Sequence, residues 1–213
     1  MEILASLAES LVRGQADEVS HLTKEGIQKN LQPLEILNGG LIAGMEVVGQ
    51  KFRDGELYVP DVLVSARAMR AGMDILKPLF AQANIQPVGR VILGTVRGDL
   101  HDIGKNLVGI MMEGAGFEVI DLGTDVAPEK FVAAVREHRP KVLGMSALLT
   151  VTMVGMKAVL DAVESQGLRQ GVIAMVGGAP VTQRFAEEIG ADGYAHDAVS
   201  AVTKAKELIG IRR

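Results

Sequence analysis

The spacing of apolar residues changes near residue 90, and this change constrains the fold more than any other feature of the 213-residue sequence. Up to about residue 84, apolar side chains recur at steps of three and four, which is the period of an amphipathic α-helix. After Arg90, short apolar runs alternate with stretches of helical period. The sequence therefore predicts a helical domain over residues 1–86 and an α/β domain over residues 90–213, joined by a linker near 84–89.

The first half is predicted to form four helices with short connections, that is, a small antiparallel four-helix bundle. Asp17 is a candidate cap for the second helix, and prolines begin the third helix at Pro33 and the fourth at Pro60. Gly39 and Gly40 fall inside the third helix, where glycine costs about 1 kcal/mol relative to alanine. We expect a close approach of a neighbouring helix to compensate for that cost.

The apolar runs of the second half predict five strands, at 91–96, 117–122, 142–148, 172–176 and 193–195. Helices are predicted between and after them, at 104–115, 128–138, 151–166, 181–189 and 197–209. Strands that alternate with helices form a parallel sheet with helices on both faces. The predicted fold class is therefore a flavodoxin-like, Rossmann-like five-stranded α/β sheet. In its usual strand order a crevice opens beyond strands 1 and 3, so the loops near Arg97 and Ser146 are candidate ligand sites.

Composition excludes several classes of function. The net charge is −4 and no basic block is present, which argues against a nucleic-acid partner. No apolar run reaches the roughly 18 residues of a membrane span, and no secretory signal begins the sequence, so no membrane partner is expected. The chain has no cysteine, which removes disulfides and thiolate metal sites and fits a cytoplasmic location.

The loop after the first strand, GDLHDIGKN at 98–106, admits several interpretations. A phosphate-binding P-loop needs four residues between its first glycine and the Gly-Lys pair, whereas five (99–103) stand here, and the lysine precedes asparagine. A hydrolytic metal site could use Asp99, His101 and Asp102, but no second histidine lies nearby in the sequence. A surface loop whose histidine only caps the next helix stays open at this point.

Spacing beyond this loop favours a specific ligand. A D-x-H-x-x-G motif begins at Asp99 and is followed by 41 residues (105–145), an S-x-L motif at Ser146, a further 28 residues (149–176) and a Gly-Gly pair at Gly177. Both intervals resemble the signature of the base-off, histidine-on cobalamin-binding domain. The first half, with Tyr58 and Pro60 leading into its last helix, resembles the cap of that domain in methionine synthase and in the corrinoid proteins of methylotrophic methyltransferase systems.

This resemblance extends over the whole chain and implies a cobalamin or related corrinoid as cofactor, in the methylcob(III)amide and cob(I)amide forms. It implies that His101 is the lower axial ligand of the cobalt, that Asp99 orients the imidazole and that Thr152 supplies a hydroxyl where the family more often has serine. Tyr58 is a candidate for the cofactor face of the cap. The implied cofactor contacts in the second half are Gly98, Asp99, Leu100, His101, Asp102, Gly104, Ser146, Leu148, Thr150, Gly177, Gly178 and Ala198.

The resemblance also implies where the nucleotide tail of the cofactor lies. Gly177 and Gly178 would leave space for a flat base against the backbone, because glycine has no side chain. Ser146 and Thr150 would form hydrogen bonds with the base and phosphate region of the tail. Each glycine could equally serve a simple strand-to-helix turn, and that alternative stays open here.

The implied function is that of a corrinoid methyl carrier, without catalytic activity alone, whose cobalt alternates between Co(I) and methyl-Co(III). Its implied partners are a donor-specific methyltransferase, a second methyltransferase acting on tetrahydrofolate or a thiol, and a reductive activase. The main alternative is the cobalamin-binding subunit of an adenosylcobalamin-dependent mutase, which would not need the helical half. A cobalamin light sensor would need a DNA-binding domain and a tryptophan, and the chain has no tryptophan. In a flavodoxin-like module without a corrinoid, the two intervals would be coincidental.

Overall fold

The computed structural model describes residues 2–83 and 86–211, which form two compact units that meet in the chain at Pro87 and Val88. The linker predicted at 84–89 lies partly outside the described residues, at 84 and 85. Its remaining part, residues 86–89, contains neither helix nor strand. No helix in the described ranges, including the 24-residue helix of the first unit, has the length and apolar character required to cross a membrane.

The first unit is helical. Its helices are α1 (Glu2–Val12), α2 (Ala16–Gln28), α3 (Pro33–Ile36), α4 (Ala43–Arg53) and α5 (Val59–Gln82). A π-helical turn at Leu37–Ile42 connects α3 to α4, so the three segments together form the third helix that the sequence predicts. Helix α1 packs against α2 and α4, and α5 packs against the same two helices.

The glycines of the π-helical turn lie directly against α1. A Cβ atom at Gly40 would be 2.4 Å from Cδ2 of Leu7, and one at Gly39 would be 3.0 Å from Cδ1 of Leu4. Leu7 is completely buried, so it has little freedom to move aside. This contact confirms the close helix approach predicted for the two glycines.

The cap of α2 differs from the prediction. Its N-cap residue is Gln15, which makes no side-chain capping bond, and Asp17 lies inside the first helical turn. The reason is the turn after α1, in which Gly14 has a φ of 70° and the amide of Gln15 donates to the carbonyl of Ser10. This tight reversal begins α2 at Ala16, too early for Asp17 to act as its cap. The Asp17 carboxylate still interacts favourably with the positive N-terminal end of the helix dipole.

The second unit is a parallel sheet with helices between its strands. Its strands are β1 (Arg90–Thr95), β2 (Glu118–Asp121), β3 (Val142–Ser146), β4 (Ile173–Gly177) and β5 (Gly193–Ala195). Its helices are α6 (Ile103–Gly114), α7 (Pro128–His138), α8 (Thr150–Met153), α9 (Gly155–Ser165), α10 (Gln183–Ile189) and α11 (Ala198–Leu208). The strand order is β2-β1-β3-β4-β5 and all pairs are parallel. These elements confirm the predicted flavodoxin-like fold class.

Aliphatic, methionine and phenylalanine side chains fill the core of this unit. Ile92, Leu143, Met156 and Phe131 are all completely buried in one cluster. Burial of one such side chain contributes about 1.5–3 kcal/mol. Gly94 in β1 makes room for the aromatic ring, since a Cβ atom there would lie 2.6 Å from two ring carbons of Phe131. The core therefore holds β1 and β3 rigidly, and these two strands carry the candidate site.

The strand register aligns the carboxyl ends of β1, β3, β4 and β5, and the loops that carry the candidate site follow these ends. Thr95 pairs with Ser146, Ser146 pairs with Gly177, and Gly177 pairs with Ala195. These four residues form one row across the carboxyl edge of the sheet. The loops that follow them therefore leave the sheet at the same edge, which brings together segments up to 100 residues apart in the sequence.

Helix α11 begins with a capping box formed by Asp197 and Ser200, and its contribution to the stability of the α/β unit can be measured. The Asp197 carboxylate accepts a hydrogen bond of 2.6 Å from the Ser200 amide, and the Ser200 hydroxyl accepts one of 3.2 Å from the Asp197 amide. Burial raises the pKa of Asp197, but the bonds from Ser200 and the nearby His196 outweigh it and leave the pKa below its ordinary value. We expect Asp197→Ala to lower the free energy of unfolding in urea by about 1 kcal/mol at pH 7.

The sign of the pH dependence follows from the depressed pKa. The contribution of the charged Asp197 is complete above the unfolded pKa of about 3.9 and is lost as the pH falls through the folded value. The alanine penalty should therefore shrink between pH 5 and pH 3. Asp197→Asn is the control, because asparagine caps a helix as well as aspartate does and does not titrate. An alanine penalty of the same size at pH 7 and pH 3 would contradict this account.

Candidate functional site

Asp99 lies at the centre of the candidate site and is completely buried. Its Oδ1 accepts a hydrogen bond of 3.1 Å from the His101 amide and lies 2.8 Å from His101 Nδ1. Its Oδ2 accepts bonds of 2.6 Å from the Thr152 hydroxyl, 2.7 Å from the Leu148 amide and 3.3 Å from the Leu149 amide. The structure thus brings together His101, Asp99 and Thr152, which the resemblance implies as the ligand, the carboxylate that orients it and the hydroxyl.

The ionisation of Asp99 decides which nitrogen of His101 carries its proton. Burial raises the pKa of Asp99, but hydrogen bonds from the Thr152 hydroxyl, the Leu148 amide and His101 together lower it well below its ordinary value. The carboxylate is therefore ionised and can only accept hydrogen bonds. The Nδ1 atom must then be the donor, and the lone pair of the neutral imidazole lies on Nε2.

The His101 ring is accessible while its orientation is fixed. Its side chain is 52% exposed, whereas that of Asp99 is fully buried. An imidazole whose second nitrogen donates to a buried carboxylate is the usual arrangement of a histidine that binds a metal. Within residues 2–83 and 86–211 no group of three or more acidic or histidine side chains could hold a metal ion by itself. The donor set therefore suits a metal whose other ligands come from a cofactor.

The end of β3 differs from the prediction because of the same carboxylate. The apolar run predicts a strand to residue 148, but β3 ends at Ser146. Beyond it, the amides of Leu148 and Leu149 donate to Asp99 and not to a neighbouring strand. The predicted helix at 151–166 is also divided, into α8 and α9, with Val154 between them.

The two glycines at the end of β4, Gly177 as its last residue and Gly178 directly after it, are required by the protein itself. Gly178 has a φ of 124°, and a Cβ atom there would lie 1.9 Å from the carbonyl oxygen of Ala147. A Cβ atom at Gly177 would lie 2.9 Å from the carbonyl oxygen of Ala195. The close approach of the β5 backbone to Gly177 and of the loop after β3 to Gly178 thus accounts for the Gly-Gly pair. Space for a flat base, the reason expected from the resemblance, stays a prediction.

Gly104 differs from this pair, because the fold does not require a glycine at its position. It lies in the first turn of α6, and a Cβ atom there would meet no atom within 4 Å. In the segments that follow β1 and β3, the apolar residues Leu100, Ile103 and Val151 are 73%, 75% and 75% exposed. Exposed apolar side chains around an oriented imidazole fit a large, flat and partly apolar ligand.

The remaining predicted contacts occupy varied environments. Gly98 has a φ of 80° at the turn after β1, and Asp102 accepts a bond of 2.9 Å from the side chain of Asn106. Ser146 and Thr150 lie at the end of β3 and the start of α8, whereas Ala198 is buried at the start of α11. Tyr58 precedes α5 in the helical unit and is 67% exposed. The contact of each with a cofactor stays a prediction.

Sequence reasoning missed a second set of residues that supports the loop. Lys105 is only 4% exposed, and its Nζ donates to Asp121 Oδ2 at 2.5 Å and to Asn106 Oδ1 at 2.7 Å. The Thr95 hydroxyl donates to the His101 carbonyl at 3.0 Å. Because β2 neighbours β1 in a flavodoxin-like sheet, the polar residue at the end of β2, Asp121, was the signal that could have identified part of this set.

Comparison with protein families identifies the ligand class. A family model described as "B12 binding domain" matches residues 89–203, and a second model with the same description matches residues 3–77. The chain belongs to the B12-binding corrinoid proteins. The resemblance to the corrinoid proteins of methyltransferase systems is confirmed, and the cofactor is cobalamin or a related corrinoid. The alternative of a module that binds no corrinoid is wrong.

Curated relatives of this corrinoid protein match almost its full length. It is 44% identical over 209 residues to the dimethylamine corrinoid protein of Methanosarcina barkeri, with 98% of each chain covered. It is 41% identical over 213 residues to a corrinoid protein of Desulfitobacterium hafniense (strain Y51), with 99% of each chain covered. Both alignments include the helical unit as well as the α/β unit.

Two solved structures share the fold of this corrinoid protein. One is the methanol:cobalamin methyltransferase complex MtaBC of Methanosarcina barkeri, with a TM-score of 0.88, 31% identity and coverage of 98% of this chain and 80% of that chain. The other is a cobalamin-binding protein of Desulfitobacterium hafniense DCB-2, with a TM-score of 0.80, 31% identity and coverage of 97% and 98%. The helical half therefore also has counterparts among solved cobalamin proteins.

Proposed function

We propose that this protein is a methyl carrier whose corrinoid is bound through His101. One observation carries the proposal: the buried, ionised Asp99 holds Nδ1–H of His101 at 2.8 Å and leaves the Nε2 lone pair free on an exposed ring. When bound, the corrinoid would supply a cobalt atom able to carry a methyl group between a donor-specific methyltransferase and a second methyltransferase, and His101 would hold it. Relatives named as dimethylamine and trimethylamine corrinoid proteins support a role in methyl transfer.

The residues of the chain orient the ligand of this cofactor. Asp99 selects the tautomer of His101, and Thr152 donates to the other carboxylate oxygen and so fixes the plane of the carboxylate. Leu148 and Leu149 bind the same carboxylate through their amides, which ties the loop after β3 to the loop after β1. The imidazole therefore keeps one orientation whether or not its Nε2 is bound to a metal.

The proposed partners are a methyltransferase specific for the methyl donor, a second methyltransferase acting on tetrahydrofolate or a thiol, and a reductive activase. The structural likeness to a methanol:cobalamin methyltransferase complex supports the first of these. The relatives of this chain that are named as dimethylamine and trimethylamine corrinoid proteins also support a methyltransferase partner. The second B12-binding match, over residues 3–77, favours a carrier over a mutase subunit, which would not need the helical half.

Reconstitution tests the proposal at its first step. Apoprotein mixed with excess hydroxocobalamin should elute from gel filtration as a coloured species with one corrinoid per chain. His101→Ala should bind more weakly or lose its corrinoid during the run, because the lower ligand is gone. Loss of all colour from the wild-type protein on desalting, at micromolar concentration, would contradict the proposal.

Gly104→Ala should have opposite effects on the stability of the apoprotein and on its affinity for the corrinoid. The substitution removes a helix-destabilising glycine without a clash, so we expect the free energy of unfolding of the apoprotein to rise by about 0.5–1 kcal/mol. The new methyl group would occupy space at the proposed corrinoid face, so we expect hydroxocobalamin affinity to fall about tenfold, which corresponds to 1.4 kcal/mol.

Gly109→Ala is the matched control for this experiment. Gly109 lies in the same helix, but a Cβ atom there would face the core, 3.4 Å from Leu93 Cδ1 and 3.7 Å from Val119 Cγ1. It should leave the corrinoid affinity unchanged. Equal affinities for wild type and Gly104→Ala, measured by absorbance titration, would show that the open space beside Gly104 is not part of the binding face.

A further inference from the structure

Asp125, in the loop between β2 and α7, holds the loop that carries His101. Its carboxylate Oδ1 accepts a hydrogen bond of 2.7 Å from the Gly98 amide, and its own amide donates 3.0 Å to the Asp99 carbonyl. These two bonds bracket the residues Gly98 and Asp99.

The backbone around Asp125 is itself anchored to β1. The Leu122 amide donates to the Leu93 carbonyl at 2.8 Å, and the Val126 amide donates to the Thr95 carbonyl at 2.9 Å. The pairing of the two chain segments thus continues beyond the strands, and Asp125 lies within this extension. Its φ of 51° is in the left-handed region, which aspartate and asparagine adopt more readily than most residues.

The loop needs such support at Gly98. With a φ of 80°, Gly98 occupies the left-handed region, and glycine has more conformational freedom to lose than any other residue. Two of the three residues that follow are held elsewhere, Asp99 by its buried carboxylate and His101 by the Thr95 hydroxyl on its carbonyl. The Asp125 carboxylate is the group that binds the amide at the start of this segment.

We propose that Asp125 is a positioning residue for the lower ligand: by holding Gly98 and Asp99 it fixes the backbone from which the Asp99 carboxylate orients His101. It acts through Asp99 and does not itself contact the cofactor. The effect on the cofactor rests on the proposed function, in which His101 binds the cobalt. The effect on the loop does not, and can be measured in the apoprotein.

Two substitutions separate the hydrogen bond from the charge and from the backbone conformation. Asp125→Gly accepts the left-handed backbone but removes the acceptor, whereas Asp125→Asn keeps an acceptor oxygen and the backbone preference while removing the charge. In the apoprotein, we expect the Gly98 amide to exchange with solvent about tenfold faster or more in Asp125→Gly, and at nearly the wild-type rate in Asp125→Asn. The amide of Met145, in the centre of the sheet, should be unaffected in both.

The loaded protein gives the second readout. After reconstitution with hydroxocobalamin and reduction to Co(II), the fraction of cobalt with nitrogen superhyperfine splitting should fall in Asp125→Gly, and corrinoid affinity should fall about three- to tenfold. Asp125→Asn should restore both values. If Asp125 only stabilised the fold, Asp125→Gly would leave the fraction of cobalt with nitrogen splitting unchanged, and there would be no loss for Asp125→Asn to restore.

The possible outcomes distinguish this inference from the proposed function. If wild-type protein shows no nitrogen splitting, the proposed ligation by His101 fails, while Gly98 exchange still decides whether Asp125 positions the loop. If wild type shows splitting and Asp125→Gly matches it in splitting, affinity and Gly98 exchange, the positioning role is overturned. If Asp125→Asn behaves like Asp125→Gly, the negative charge and not the hydrogen bond is responsible, which also overturns the inference as stated.

Discussion

Asp99→Ala is expected to lower the free energy of unfolding of the apoprotein by about 3–5 kcal/mol in urea. The substitution removes the acceptor for the Thr152 hydroxyl and for the amides of His101, Leu148 and Leu149. Each of these part-buried donors left without a partner costs up to about 1–3 kcal/mol, and less where water enters the space that the carboxylate leaves. The loops after β1 and β3 should also separate, because this carboxylate joins them.

Asp102→Ala is the control for this experiment. Asp102 lies in the same loop, but its carboxylate accepts one bond of 2.9 Å from the exposed side chain of Asn106. Its removal should cost less than about 1 kcal/mol, since solvent can replace a bond at the surface. Asp99→Asn should fall between the two, because an amide has only one acceptor oxygen for two sets of donors. Equal losses for Asp99→Ala and Asp102→Ala would contradict the central role of Asp99.

Gly178→Ala is expected to destabilise the α/β unit by about 4 kcal/mol or more, in the range that is exceptional for single substitutions. A Cβ atom 1.9 Å from the Ala147 carbonyl oxygen cannot be accommodated by a side-chain movement, since the obstacle is backbone. The φ of 124° adds strain of its own for any residue with a Cβ atom. Because Ala147 immediately precedes Leu148, a shift there would also disturb the bonds to Asp99.

Gly190→Ala tests the contribution of φ alone. Gly190 ends α10 with a φ of 79°, and a Cβ atom there would meet nothing within 4 Å. We expect a cost of about 1–2 kcal/mol, from the left-handed backbone without a clash. The difference between the two variants, from unfolding in urea followed by circular dichroism, measures the close approach to Ala147. Similar losses for both would show that the backbone relaxes and that the Gly-Gly pair is not required for packing.

The strands of the α/β unit were predictable because buried parallel strands read as continuous apolar runs. The same rule placed the end of β3 too late, at residue 148. Leu148 is apolar and continues the run, but its amide turns away from the sheet to bind Asp99, 49 residues earlier in the chain. A local pattern does not contain that long-range contact.

The site residues that belong to a recognisable sequence pattern could be predicted. The residues that act through bonds to backbone groups could not. The resemblance implied that Asp99, His101 and Thr152 act together, and the structure places His101 and Thr152 on the two carboxylate oxygens of Asp99. Their roles toward the cofactor stay predictions. Asp125 was missed because its role depends on the amide of Gly98 and the carbonyl of Asp99, groups that every sequence contains. Lys105 was considered only as part of a phosphate-binding motif, whereas its burial beside Asp121 depends on the order of the strands.

Electron paramagnetic resonance of the Co(II) protein tests the central claim, that His101 is the lower ligand, most directly. Wild-type protein loaded with hydroxocobalamin and reduced should show superhyperfine splitting from one nitrogen, and His101→Gly should lose it while the fold, followed by circular dichroism, is retained. Added imidazole should restore the splitting in the variant, because the space of the missing side chain is open to a small nitrogen ligand. Identical spectra for wild type and His101→Gly would contradict ligation by His101 and the proposal built on it.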